Sequence, residues 1–119
     1  MAMKTRIIKQ GDTIVVAVDG KLDFEANDPL KDDLNRLFEN QQDAVPKKII
    51  MNLENLEFVG SSGISSFVQT LREFASEAPV RPRYCNVKSE FRRVMKAFDP
   101  ENIFEFYDSE SSAKKSYDN

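Results

Sequence analysis

The sequence predicts an α/β domain: a sheet of about four to five strands flanked by helices. Three observations predict it. Short runs rich in β-branched residues recur along the chain, among them Thr13-Ile14-Val15-Val16-Ala17-Val18 and Ile49-Ile50-Met51-Asn52-Leu53. Between them lie stretches with apolar residues at helical spacing. The two kinds alternate, which implies crossover connections and helices packed on a sheet. The 119 residues, 40% of them hydrophobic, suffice for one core. Without a repeat or a long linker, residues 1–119 read as a single domain.

Arg6 to Gln10 and Thr13 to Val18 read as two strands joined at Gln10-Gly11-Asp12, the second central in the sheet. Asp19 to Asp23 then leads into a loop. Asn27-Asp28-Pro29 opens a first helix, with a capping side chain followed by a proline whose missing N–H costs no bond there. Leu30, Leu34, Leu37 and Phe38 place one apolar face on it. Residues 40–47 are polar loop. Ile49 to Leu53 suits a strand covered on both faces, as in parallel sheets.

A second helix carries Ile64, Phe67, Val68, Leu71 and Phe74 on one stripe, and the chain breaks at Pro79 and Pro82. Arg83 to Val87 is a further strand. Ser89 is expected to cap a third helix bearing Phe91, Val94, Met95 and Phe98, stopped by Asp99-Pro100. Ile103 to Tyr107 reads as a last extended piece. Residues 109–119 read as a short final helix or a frayed tail.

Composition removes several functions. No histidine exists, which excludes Ser-His-Asp and Cys-His hydrolysis and the commonest metal ligand. Glycines at 11, 20, 60 and 63 form neither a phosphate-binding loop nor a dinucleotide fingerprint. Gly60-Ser61-Ser62-Gly63-Ile64 is not a nucleophile elbow, which needs glycine two residues to either side of the serine. Asp28, Asp32 and Asp33 fall in one helical turn, where they oppose the positive end of the helix dipole rather than bind metal. A net charge of −3 argues against a nucleic-acid binder, and the Arg92-Arg93 pair reads as solvated surface. The single cysteine, Cys85, lies in the strand-like run Arg83 to Val87 as a buried hydrophobe of a reducing compartment. With neither an apolar leader nor a run of about 18 apolar residues, the reading is a cytoplasmic protein without membrane contact. No enzymatic activity, metal or cofactor is expected.

One stretch stands apart. Val59-Gly60-Ser61-Ser62-Gly63 leads directly into the Ile64 stripe, so a serine lies where the first helical amides have no intrahelical partners. Capping explains such a serine. The same place welcomes an anion, and a phosphoryl group there adds about −1.5 to −2 charges. Spacing alone leaves a cap, a phosphorylation switch and a small-anion sensor open.

Nearly the whole length resembles a STAS domain, the family of anti-sigma factor antagonists and sulfate-transporter C-terminal domains. Val16 to Asp23 is similar to the family's strand followed by Gly-Glu-Leu-Asp. Ile49 to Ile64 resembles its signature strand, loop and Asp-Ser-Ser-Gly helix start. Phe91-Arg92-Arg93-Val94 followed by Asn102-Ile103-Phe104 resembles its third helix and next strand. The resemblance implies a mixed sheet flanked by helices and a regulatory binding module. It implies that a serine-kinase anti-sigma factor binds the unphosphorylated form, that Ser62 (Ser61 as second choice) accepts phosphate and breaks the complex, and that a phosphatase restores it. Asp23, Gly60, Ser61, Ser62 and Gly63 would form the partner surface. ATP would belong to the kinase, and a homodimer is compatible with the family. Three positions depart from the pattern: Gly60 replaces the acid before the serines, Lys21 a glutamate, and Asn52 an aspartate. The alternative is a STAS scaffold subunit of a larger signalling or transporter-associated assembly that is never phosphorylated, a reading that Gly60 favours.

Overall fold

A computed structural model describes residues 4–22, 27–37, 46–58 and 64–118. The elements run β1 (Lys4–Gln10), β2 (Thr13–Leu22), α1 (Asn27–Arg36), β3 (Lys48–Asn52), β4 (Leu56–Phe58), α2 (Ile64–Glu77), β5 (Arg83–Cys85), α3 (Ser89–Ala97), β6 (Phe106–Tyr107) and α4 (Glu110–Ser116). The sheet has six strands in the order β1-β2-β3-β5-β6, with β4 paired to β2 beyond the end of β3. The β1–β2 pair is antiparallel and every other pair is parallel. This is the mixed sheet that the resemblance implied.

Alternation along the strands sorts side chains to two faces. Ile14, Val16 and Val18 of β2, Ile49 and Met51 of β3 and Tyr84 of β5 face the main core with α1, α2 and α3. Leu30 and Leu34 of α1, then Ile64, Phe67, Val68, Leu71 and Phe74 of α2, close that core. Phe67 and Phe91 meet edge-on at 5.5 Å, and Tyr84 and Phe104 at 5.2 Å. The opposite face carries Val15, Ile50 and Cys85, covered by Ala113 of α4 with Tyr107 and Tyr117.

Each end of α4 is anchored. Ser109 and Ser112 form a reciprocal capping box at its start. Past its end the Tyr117 hydroxyl donates to the Ile49 carbonyl (2.9 Å), on a strand edge that β5 has not yet reached. The Arg83 guanidinium lies over the Tyr117 ring at 4.6 Å and donates to Glu105 (2.7 Å) and the Tyr107 hydroxyl (2.8 Å).

Several expectations need correction. The strand expected to end at Val18 continues through Leu22, because β4 supplies a partner for residues 20–22. The three residues of β4 are too few to show a period, and the sequence did not announce them. Asn86 has a φ of 57°, which ends β5 before Val87. Ser89 does not cap α3; Lys88 is the extended cap residue, and its side chain makes no capping bond. Phe98 falls one residue past α3 and is 46% exposed rather than packed, and Val94 is only partly buried. Asp99 ends the turn differently from a simple stop: its carboxylate accepts the N–H groups of Ile103 and Phe104, both at 2.9 Å. Among the described residues, no helix is long and apolar enough to cross a membrane, and no three potential metal-ligating acids or cysteines cluster.

Candidate functional site

The strand ends of β2 and β4 frame the site. They run parallel with Gly20 opposite Leu56, Lys21 opposite Glu57 and Leu22 opposite Phe58. Parallel neighbours lie about 4.8 Å apart, so the chain leaves the sheet toward residue 23 and toward residue 59 from adjacent strand ends. Gly20, at φ 106°, adopts a backbone that side-chain-bearing residues rarely take, and its N–H donates to the Asn55 carbonyl at 3.0 Å. That bond ties the end of β2 to the turn that starts β4.

The turn is set by Asn52. Its side-chain oxygen accepts the Glu54 N–H (2.9 Å), and its amide nitrogen donates to the Glu110 carboxylate (2.7 Å). An aspartate could make only the first bond and would face Glu110 with like charge. The departure from the family pattern at Asn52 therefore goes with the α4 that packs over it. Asp19, one residue before Gly20, accepts from Arg6 at 2.5 Å and 3.3 Å. The Arg6 hydrogen bond holds its carboxyl below the ordinary value, against the opposing effect of partial burial.

Five residues separate Phe58 from Ile64, where α2 begins. Ile64 is buried, while Ser65 and Ser66 in the first turn are exposed, and that turn holds no acidic residue. The positive end of the α2 dipole is thus not offset from within its own first turn. Asp23, Gly60, Ser61, Ser62 and Gly63, the residues expected from sequence to form the partner surface, lie outside the described residues. The described chain fixes the strand ends and helix start on which these segments are strung.

Beside β4 is a groove of about 200 Å³ lined by Leu56, Glu57, Lys88, Glu90 and Phe91, between that strand and the start of α3. Sequence reasoning missed these residues together with β4, whose three residues Leu56-Glu57-Phe58 are too few to show a period. A larger groove of about 470 Å³ lies toward the other end of α2, where Arg72 already pairs with Glu101 at 2.8 Å. Cys85 is fully buried, and burial, with Glu110 nearby, pushes its thiol up to about 12. It is not a nucleophile.

The family description "STAS domain" matches residues 4–113. No curated protein matches the chain. Among solved structures, an anti-sigma factor antagonist from Mycobacterium paratuberculosis superposes with a TM-score of 0.80 at 16% identity, covering 99% of this chain and 96% of that one. The Bacillus cell fate determinant SpoIIAA in its phosphorylated form gives 0.62 at 19% identity, covering 95% and 99%. A chain from the stressosome, described as a signal integration and transduction hub, gives 0.69 at 15% identity, covering 96% of each. At these identities the likeness is one of fold.

Proposed function

The chain belongs to the STAS domain family, and from that membership we propose that it is a non-enzymatic partner-switching regulator resembling an anti-sigma factor antagonist. In its unphosphorylated form it binds a serine-kinase anti-sigma factor in the cytoplasm and so acts on transcription. That partner, which holds the ATP, transfers a phosphoryl group to Ser62, with Ser61 as second choice. The modified protein lets go, and a phosphatase returns it to the binding form. Asp23, Gly60, Ser61, Ser62 and Gly63 make up the contact surface.

The observation that carries this reading is the frame: register-paired strand ends at Leu22 and Phe58, and an α2 whose first turn holds no acid. A phosphoryl group near that helix start gains about 0.3–1 kcal/mol from the dipole, more when partly buried. The fold tolerates the new charge, whereas a partner with apolar or acidic contacts over the same place does not. Incubation with the serine-kinase partner and ATP should add one phosphate to Ser62. Ser62→Asp should weaken binding, and Ser62→Ala should bind but resist release. Equal binding by both, with no phosphate added, contradicts the switch.

A second reading is kept on one specific feature. Gly60 stands where the family has an acid, so a carboxylate that a kinase could read is missing. On this reading the protein is an unphosphorylated STAS scaffold subunit, in the manner of a multi-chain signalling assembly. Co-purification with other subunits, unchanged by Ser62→Asp, would favour it.

A further inference from the structure

Strand β1 is an outer strand of the sheet, and six of its seven residues are exposed. The two-residue turn Gly11-Asp12 pairs Gln10 with Thr13, and Gly11, at φ 60°, occupies the left-handed position such turns require. Hydrogen-bonded pairs alternate from that turn, so Lys4, Arg6, Ile8 and Gln10 direct their backbone groups to β2. The same parity turns the even-numbered residues of β2 toward β3 and β4, as the Gly20-to-Asn55 bond shows. Thr5, Ile7 and Lys9 therefore direct their N–H and C=O groups outward, away from the sheet.

Side chains of the same three residues line a groove of about 460 Å³, whose other wall is Asp33, Arg36 and Leu37. Ile7 is 41% exposed and Ile8, on the opposite face, 43%. The strand carries Lys4, Arg6 and Lys9 and no acid, in a chain whose net charge is −3. Of these cations only Arg6 is in an ion pair among the described residues, with Asp19.

We propose that the outer edge of β1 is a docking site for an extended acidic segment of a partner protein, which joins the sheet as a further strand. Backbone pairing supplies affinity, and alternate side chains supply selection. An apolar residue opposite Ile7 drops toward the groove, an acid two positions along meets Lys9 on that same face, and acids at the intervening positions face Lys4 on the other. A second copy pairing through the same edge would bring three more cations across the seam. Edge lysines by themselves guard a strand against unwanted pairing. A strand that is only guarded has no use for two exposed isoleucines at its centre and a groove beside it. The site is independent of Ser62.

The test uses a short blocked peptide with one central valine and glutamates on both sides, with the same peptide carrying lysine for glutamate as control. Binding of the glutamate peptide should slow hydrogen exchange at the amides of Thr5, Ile7 and Lys9, and the lysine peptide should not. Exchanging both lysines, Lys4→Glu with Lys9→Glu, should cost the glutamate peptide about tenfold in affinity. Ile7→Pro removes an outward N–H that β2 does not use and should abolish binding. If that variant fails to fold, the charge exchange still decides. Equal affinity for the two peptides, unchanged exchange at those three amides, or their protection in a peptide-free dimer would overturn the proposal.

Discussion

Leu22 and Phe58 are register partners in the parallel ladder between β2 and β4. Their pairing makes two chain segments distant in sequence leave the sheet side by side. Ile64 then starts α2 after five intervening residues. The ladder is held from below by the turn at Asn52 and by the bond from Gly20 to Asn55. Stability at this turn and the placement of the strand ends are therefore linked.

Asn52→Asp restores the residue usual in the family but sets a carboxylate against Glu110, now an acceptor at 2.7 Å. The substitution should destabilise the fold by about 1–2 kcal/mol in urea unfolding at neutral pH. Adding Glu110→Gln should recover most of that loss, since the glutamine amide can donate to the new carboxylate. Failure of the second change to compensate would separate Asn52 from Glu110.

Asp19 gives an acid-side pH dependence. Its folded-state carboxyl lies below the ordinary value because Arg6 donates to it. A depressed folded value means the contribution is present above the unfolded carboxylate range, near pH 4, and is lost as pH falls through the folded value. Asp19→Asn should lower stability at neutral pH, flatten the profile below about pH 4 and converge with the parent protein at low pH. Both partners are partly exposed, so added salt should shrink the difference.

Cys85 should be inert in the native state. With its thiol pushed up to about 12, almost no thiolate exists at pH 8. Ellman's reagent should react only as fast as the protein opens, and at once in denaturing urea. Rapid labelling of the native protein would contradict the burial under α4.

Asp99 is a backbone acceptor more than a helix stop. Asp99→Ala leaves the N–H groups of Ile103 and Phe104 without their acceptor and should cost about 1–3 kcal/mol. Faster hydrogen exchange at Phe104, which leads into β6, should accompany it.

The helices and the longer strands were legible because periodicity needs length. The Ile64 to Phe74 stripe of α2 and the β-branched run of β2 each repeat often enough to mark their buried face. β4 was not legible, since three residues carry no period and its pairing depends on the distant Gly20. Phe98 fitted the α3 spacing yet lies exposed, because the helix ends one residue earlier. Ser89 looked like a cap by type, but the turn of the chain places Lys88 there. For the site, the serines were recognisable by motif alone; the neighbouring Glu57, Lys88 and Glu90 became visible only once β4 was paired.

The most direct measurement is phosphosite mapping by intact-mass and peptide mass spectrometry on the protein drawn from its own host in two growth conditions. The account predicts a single phosphate on Ser62 whose occupancy changes between the conditions, with the modified form absent from the partner complex. A protein that stays unmodified in both, while its complexes ignore Ser62→Asp, would contradict it.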